Sequence, residues 1–289
     1  MRLAIPLSLL GCLPAMPAAA LLPAVYTFST GSPDGLMATA SRPESAGKLE
    51  IETADDFVLT TTTSINSATF TGLLTGDGSV SNVRVEIYHV FPLDSTVPPS
   101  GNVPTRANSP SDNELLDVDS ASGGLRFTMT TLAATFTADN SVQPGGINPS
   151  PPQTTGGDGS VTGKEVEFDV SFTDGLLLPA NHYFFVPQVE VTDADGNFFW
   201  LSATKTIPAP ADLQSWTRDE GLDPDWLRVG TDIVGAVGDP PTAPQFNASF
   251  SLKGTVVPEP STWAMMLLGF SGLGFAGWRR ASKARPANA

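Results

Sequence analysis

The chain has 289 residues, 40 % of them apolar, with 30 acidic side chains against 15 basic ones and a formal charge of −15. That balance excludes binding to nucleic acid or anionic lipid through a basic patch. Two histidines and one cysteine leave little material for imidazole or thiolate chemistry.

From the N-terminus, Arg2 opens a short charged region, residues 3–13 form an apolar core too short to span a bilayer, and Ala18-Ala19-Ala20 supplies a small-residue cleavage site. Residues 1–20 therefore read as a signal peptide for the Sec translocon and signal peptidase, cut after Ala20 with Ala18 at the other small position. Cys12 follows a Leu-Leu-Gly tripeptide like an acylation site, but it stands too near the start. Cleavage at Ala20 discards it, so the mature body carries no thiol, disulfide or cysteine-held metal.

Residues 21–256 follow as one body with 10 basic and 29 acidic residues, a net of −19. Such acidity serves solubility; affinity for divalent cations or cationic polymers is the alternative. Strict apolar/polar alternation at 166–172 and 246–253 predicts half-buried strands. Further strands are expected at 56–61, 64–71, 83–87, 125–129, 132–136, 182–191, 198–204 and 226–234, with one short helical turn at 210–214. Many short strands rich in Thr, Val and Phe, separated by Gly, Pro, Asn and Asp, predict an all-β fold: an antiparallel β-sandwich, jelly-roll-like. The long stretches 92–113 and 140–163 read as connections or binding surface.

Four places in the body bear on chemistry. Asp193, Asp195 and Asn197 space oxygen ligands as a calcium loop does, yet the glycine comes too early and no Glu closes the set; Asp-Gly between apolar runs reads first as a hairpin turn. His89 continues the Val83, Val85, Ile87 face and reads as structural. His182 precedes a strand and reads as a hydrogen-bonded turn residue. Trp216-Thr217-Arg218 and Trp226-Leu227-Arg228 echo each other ten residues apart among acids. Exposed, Trp216 and Trp226 would stack on a sugar; as core residues they would leave each arginine to a nearby acid, the favoured reading. No hydrolase elbow, zinc pair, phosphate loop or dinucleotide fingerprint is present, so the body is expected to be no enzyme and to hold no cofactor, calcium excepted as the alternative above.

At the C-terminal end, residues 257–289 run Val257-Pro258-Glu259-Pro260, an uncharged stretch 261–278, then Arg279 and Arg280 in a basic tail 279–289. Eighteen helical residues reach roughly 27 Å, just short of the ~30 Å hydrocarbon core, so 261–278 reads as a single transmembrane helix. The cations behind it place the tail in the cytoplasm and the body outside. A plain single-pass anchor has the same hydropathy. The Pro-Glu-Pro segment, the Gly-rich span with Gly269, Gly272, Gly274 and Gly277, and the Trp-Arg-Arg end together resemble the PEP-CTERM sorting signal of Gram-negative bacteria. The resemblance covers residues 257–280. It implies that a membrane-embedded exosortase recognises Pro258, Glu259 and Pro260, cuts near them and sends the body to the cell surface or extracellular matrix of an exopolysaccharide-producing cell. The body itself, for instance at Ala54-Asp55-Asp56-Phe57, resembles uncharacterised exported proteins with this tail, which names no activity. Two roles remain: a structural or adhesive matrix protein, or a carbohydrate-binding or carbohydrate-active module using Trp216 and Trp226.

Overall fold

The computed structural model describes residues 24–45, 47–90, 114–143, 147, 154–204, 214–219, 226–238, 240–257 and 271. In chain order the strands are β1 (Val25–Ser29), β2 (Pro33–Ala40), β3 (Ile51–Leu59), β4 (Thr63–Leu74), β5 (Val80–His89), β6 (Glu114–Asp119), β7 (Leu125–Ala138), β8 (Asn140–Val142), β9 (Val161–Leu178), β10 (Asn181–Val191), β11 (Phe198–Ala203), β12 (Trp216–Asp219), β13 (Leu227–Arg228), β14 (Asn247–Ala248) and β15 (Phe250–Val256). Among the described residues they form two sheets. The larger has nine strands branching at β4: one arm is β15-β1, the other β11-β2-β8 with β14 also on β11, and the opposite edge of β4 carries β9 and then β7. The smaller runs β13-β12-β3-β10-β5-β6. Pairing is antiparallel except for β2 with β8.

Alternation built the longest strand. In β9, Val166, Phe168, Val170 and Phe172 are buried while Glu165, Glu167, Asp169 and Ser171 point away. These apolar residues meet Val83, Val85, Ile87 and Phe185 of the smaller sheet in one core. Aromatics dominate it: Phe70 stacks on Phe168 with centroids 5.0 Å apart, and Phe185 on Phe250 at 5.2 Å. Each such ring contributes about 1.5–3 kcal/mol through burial. A close approach fixes Gly72, where a Cβ would lie 2.4 Å from the Phe199 carbonyl oxygen, so β4 and β11 could not pair as they do with any side chain there.

Several expectations change. Residues 125–136 form one strand kinked by register shifts rather than a pair, because all of it pairs with β9. The stretch 226–234 keeps only β13 as strand and turns at Val229–Val234 into a π-helical turn. Asp193–Asn197 is no hairpin: β10 belongs to the smaller sheet and β11 to the larger, so these residues carry the chain from one sheet to the other. β3 begins at Ile51, five residues before the expected start, since Glu52, Asp55 and Asp56 hide a strand buried on both faces. The signal peptide with Ala18 and Ala20, the stretch 92–113, Pro258, Glu259, Pro260, Arg279 and Arg280 lie outside the described residues. Within the expected span, Ser271 is the described residue, and it is helical. Among the described residues, no helix is long and apolar enough to cross a membrane.

Candidate functional site

Two places gather the chemistry: the exit of the C-terminal segment and the outer face of the smaller sheet. β15 lies between β1 and β4, with Val256 N donating to Ala24 O at 2.8 Å and Val257 N to Thr62 O at 2.9 Å. The last strand is thus hydrogen-bonded up to the residue before Pro258. The chain also enters the fold here, since Val25 pairs with Thr255.

On the smaller sheet, Glu52 and Arg218 stand opposite each other on β3 and β12. Arg218 Nε donates to Glu52 Oε2, and Tyr88 OH donates to Glu52 Oε1 at 2.7 Å. Glu86 sits 3.3 Å from the Tyr88 hydroxyl and from Arg84 Nη1. Burial and then the neighbouring Glu52 push the Glu86 carboxyl up to about 9, so it is protonated at neutral pH. Glu86 is protonated in the fold and ionised in the unfolded chain between about 4.5 and about 9. Its stabilising effect is therefore complete below the lower value and is lost as pH rises to the upper one, by up to about 1.4 kcal/mol per pH unit. Glu86→Gln keeps the shape without the titrating proton and is expected to flatten the alkaline fall in melting temperature; an unchanged slope would assign it elsewhere.

Trp216 and Trp226 are both 0 % exposed. Their echo is a two-stranded ribbon: Trp216 pairs with Arg228 and Thr217 with Leu227. The Arg218 guanidinium lies 4.5 Å from the Trp226 ring and that of Arg228 5.3 Å from Trp216. Arg218 meets Glu52, and Arg228 meets Asp232 at 3.1 Å. The core reading is the one this geometry has. Both indoles are buried on the smaller sheet's outer surface with Phe184, Val186 and Tyr88, so neither is exposed as the sugar-stacking alternative requires.

Asp193 Oδ1 accepts from Asp195 N at 3.1 Å and Oδ2 from Asp77 N at 3.1 Å, which holds its carboxyl below the usual range. Lys48 Nζ donates to Asp193 O at 2.6 Å, and Arg42 Nη1 to Asn197 Oδ1 at 2.8 Å. Asp193, Asp195 and Asn197 thus organise the crossover, and two protein cations stand where calcium would have to compete. Another grouping is invisible in the linear order: Glu86, Glu114 and Asp117 bring carboxylate oxygens within 4.8 Å of one another, from β5 and β6. Arg84 already lies 3.3 Å from Glu86 and 3.6 Å from Asp117. Cross-strand registry made this group, and no linear motif signals it.

His182 Nε2 lies 2.5 Å from Asp56 Oδ2, and His89 packs on Tyr183 with its Nδ1 3.2 Å from Asn181 Nδ2. Beside them Asp55 is fully buried: it accepts from Ala248 N of the opposite sheet and from Asp56 N at 2.7 Å. Burial, then the charge of Asp56, raises its carboxyl well above the ordinary range. The Asp-Asp-Phe opening thus spends one acid on tying the sheets together and the other on His182.

No curated protein matches the chain, and no solved structure does. Residues 256–281 match the family model described as the PEP-CTERM protein-sorting motif. That match begins on the last residue of β15 and takes in Val257, Pro258, Glu259, Pro260, Arg279 and Arg280. The chain therefore carries a PEP-CTERM sorting motif joined directly to its folded body, the mark of an exported exosortase substrate.

Proposed function

We propose that this protein is held in the inner membrane by residues 261–278 until exosortase processes it, and then acts outside the cell as a non-enzymatic structural or adhesive component of the exopolysaccharide matrix. The sorting motif carries the reading. The layout is a signal peptide at 1–20, a body at 21–256 and a sorting segment at 257–289. The body is a β-sandwich of jelly-roll kind; support comes from chain passages that alternate between sheets at β3–β4, β4–β5, β9–β10 and β10–β11. Cleavage at or after Val257 leaves β15 whole, whereas cleavage within it would remove a strand held on both sides.

The test is to express the full chain in a Gram-negative host with and without its exosortase and to weigh the surface species. Expected is a product ending near Val257 in the first host and a membrane-bound precursor in the second, with Pro258→Ala, Glu259→Ala, Pro260→Ala giving the precursor in both. Identical masses in the two hosts would sink the reading.

A carbohydrate-binding role has a different observation in its favour than the tryptophans. A cleft of about 520 Å³ on the larger sheet is lined by hydroxyls including those of Ser32, Thr69 and Thr71, by Glu165 and Glu167, and by the half-exposed Leu132. Hydroxyls and carboxylates beside an apolar side chain suit a neutral polyol.

A further inference from the structure

The end of the body from which the sorting segment departs differs from the rest of its surface. Val257 N is bonded to Thr62 O at 2.9 Å, and only Pro258, Glu259 and Pro260 separate it from the start of the apolar span at Ser261. Three extended residues reach roughly 10 Å. A chain held in the bilayer by that span must therefore carry this end of the body against the headgroups.

The chemistry there is what such a position demands. No charged residue occurs from Phe57 to Gly76, which takes in the β3–β4 turn, nor from Gly175 to Asn181, which takes in the β9–β10 turn. Across the larger sheet the row Val25, Thr255, Ser64, Leu177 is uncharged. The nearest charges on these strands are Lys253 and Asp174, one of each sign, and on the smaller sheet Asp56, buried and held by His182, with Glu114 at the outer edge. Apolar side chains left in solvent collect here too: Val25 is 77 % exposed, Leu177 63 %, Val58 49 % and Val257 37 %. Val25 and Leu177 lie along that row and Val58 on the other sheet beside His182, so they ring the exit rather than form one isolated spot. The opposite end, at the far side of the twelve-residue β4, carries Asp77, Glu190, Asp193 and Asp195. A body this acidic therefore exposes few acids at this end.

We propose that the end ringed by Val25, Val58, Leu177 and Val257 is a membrane-docking surface that seats the body on the anionic phospholipid interface before processing. Apolar side chains at the headgroup boundary gain from burial, and with Asp56 buried against His182 few exposed acids are left on this end to be repelled by lipid phosphates. Docking holds Pro258, Glu259 and Pro260 at the depth where a membrane-embedded protease works. This inference rests on the anchoring of residues 261–278 proposed above.

The experiment uses the full chain with Cys12→Ser, reconstituted into phosphatidylethanolamine/phosphatidylglycerol vesicles. An environment-sensitive label is placed at Leu177→Cys, at Val58→Cys, or at Asp77→Cys, a distal control roughly 40 Å away along β4. Flotation reads the anchor by itself, and quenching by spin-labelled lipid reads docking. Expected are flotation of every variant, several-fold stronger quenching at 177 and 58 than at 77, and loss of quenching at 58 when Val25→Asp and Leu177→Asp are added to a protein that still floats. Floating protein with equal, weak quenching at all three positions would overturn the docking surface while leaving the anchor intact. Failure to float would remove both. Quenching at 177 that arises only when exosortase is added to the vesicles would overturn the lipid assignment in favour of an enzyme-facing surface.

Discussion

Arg218→Ala is expected to destabilise the body by about 3–5 kcal/mol, enough to unfold a marginal domain. Glu52 is 6 % exposed, and its carboxylate is held by the Arg218 guanidinium and the Tyr88 hydroxyl. Removing the cation leaves a buried negative charge beside Glu86, whose own carboxyl already stays protonated because of burial and then the neighbouring Glu52. Replacing both partners is a different matter. Glu52→Gln with Arg218→Met keeps an acceptor for Tyr88 and the packing on Trp226 while deleting both charges, and should recover most of the loss, since a buried ion pair gains little over a neutral isostere. Urea denaturation of the three proteins checks this. A single variant within about 1 kcal/mol of the parent would show that the site is wetter than its burial indicates.

Trp226→Ala should cost a similar amount, about 3–5 kcal/mol, through the cavity it leaves. The indole stacks on Phe184 at 6.1 Å, meets Tyr88 edge-on at 5.7 Å and lies under the Arg218 guanidinium, so its loss also strips the cation of its aromatic partner. Loss of stability without loss of glycan binding is the expected result for Trp216→Ala and Trp226→Ala alike. Acrylamide should quench the body's tryptophans weakly, because Trp200, Trp216 and Trp226 are each at most 1 % exposed. Strong quenching relieved by added polysaccharide would return the sugar-stacking role to the pair.

Strands whose one face is wet were legible from sequence. β9 alternates because water selects polar residues on one side and the core apolar ones on the other, and it appears where alternation placed it, whereas the alternating stretch 246–253 divides into β14, paired with β11, and the start of β15, with Asn247 and Ser249 buried. β3 and β12 were not legible in that way. Their outer face is itself covered, so Ile51-Glu52-Thr53-Ala54-Asp55-Asp56 carries buried acids that periodicity assigns to solvent, and Arg218 and Glu52 find each other from 166 residues apart. The Asp-Gly turn misled for a related reason: local chemistry fixes the bend at Asp193–Asn197, but which sheet the next strand joins depends on partners far away in the chain.

The sequence by itself determined the all-β class and the route of export. Both are written in local order: a period of two residues, and a contiguous motif that an enzyme reads as a linear segment. Only the tertiary structure decided what the polar and aromatic side chains do. That Trp216 packs in the core, that Asp193 accepts from the Asp195 and Asp77 amides, and that the row Val25, Thr255, Ser64, Leu177 is uncharged all depend on which strands lie side by side. Cross-strand registry joins residues that have no relation in sequence.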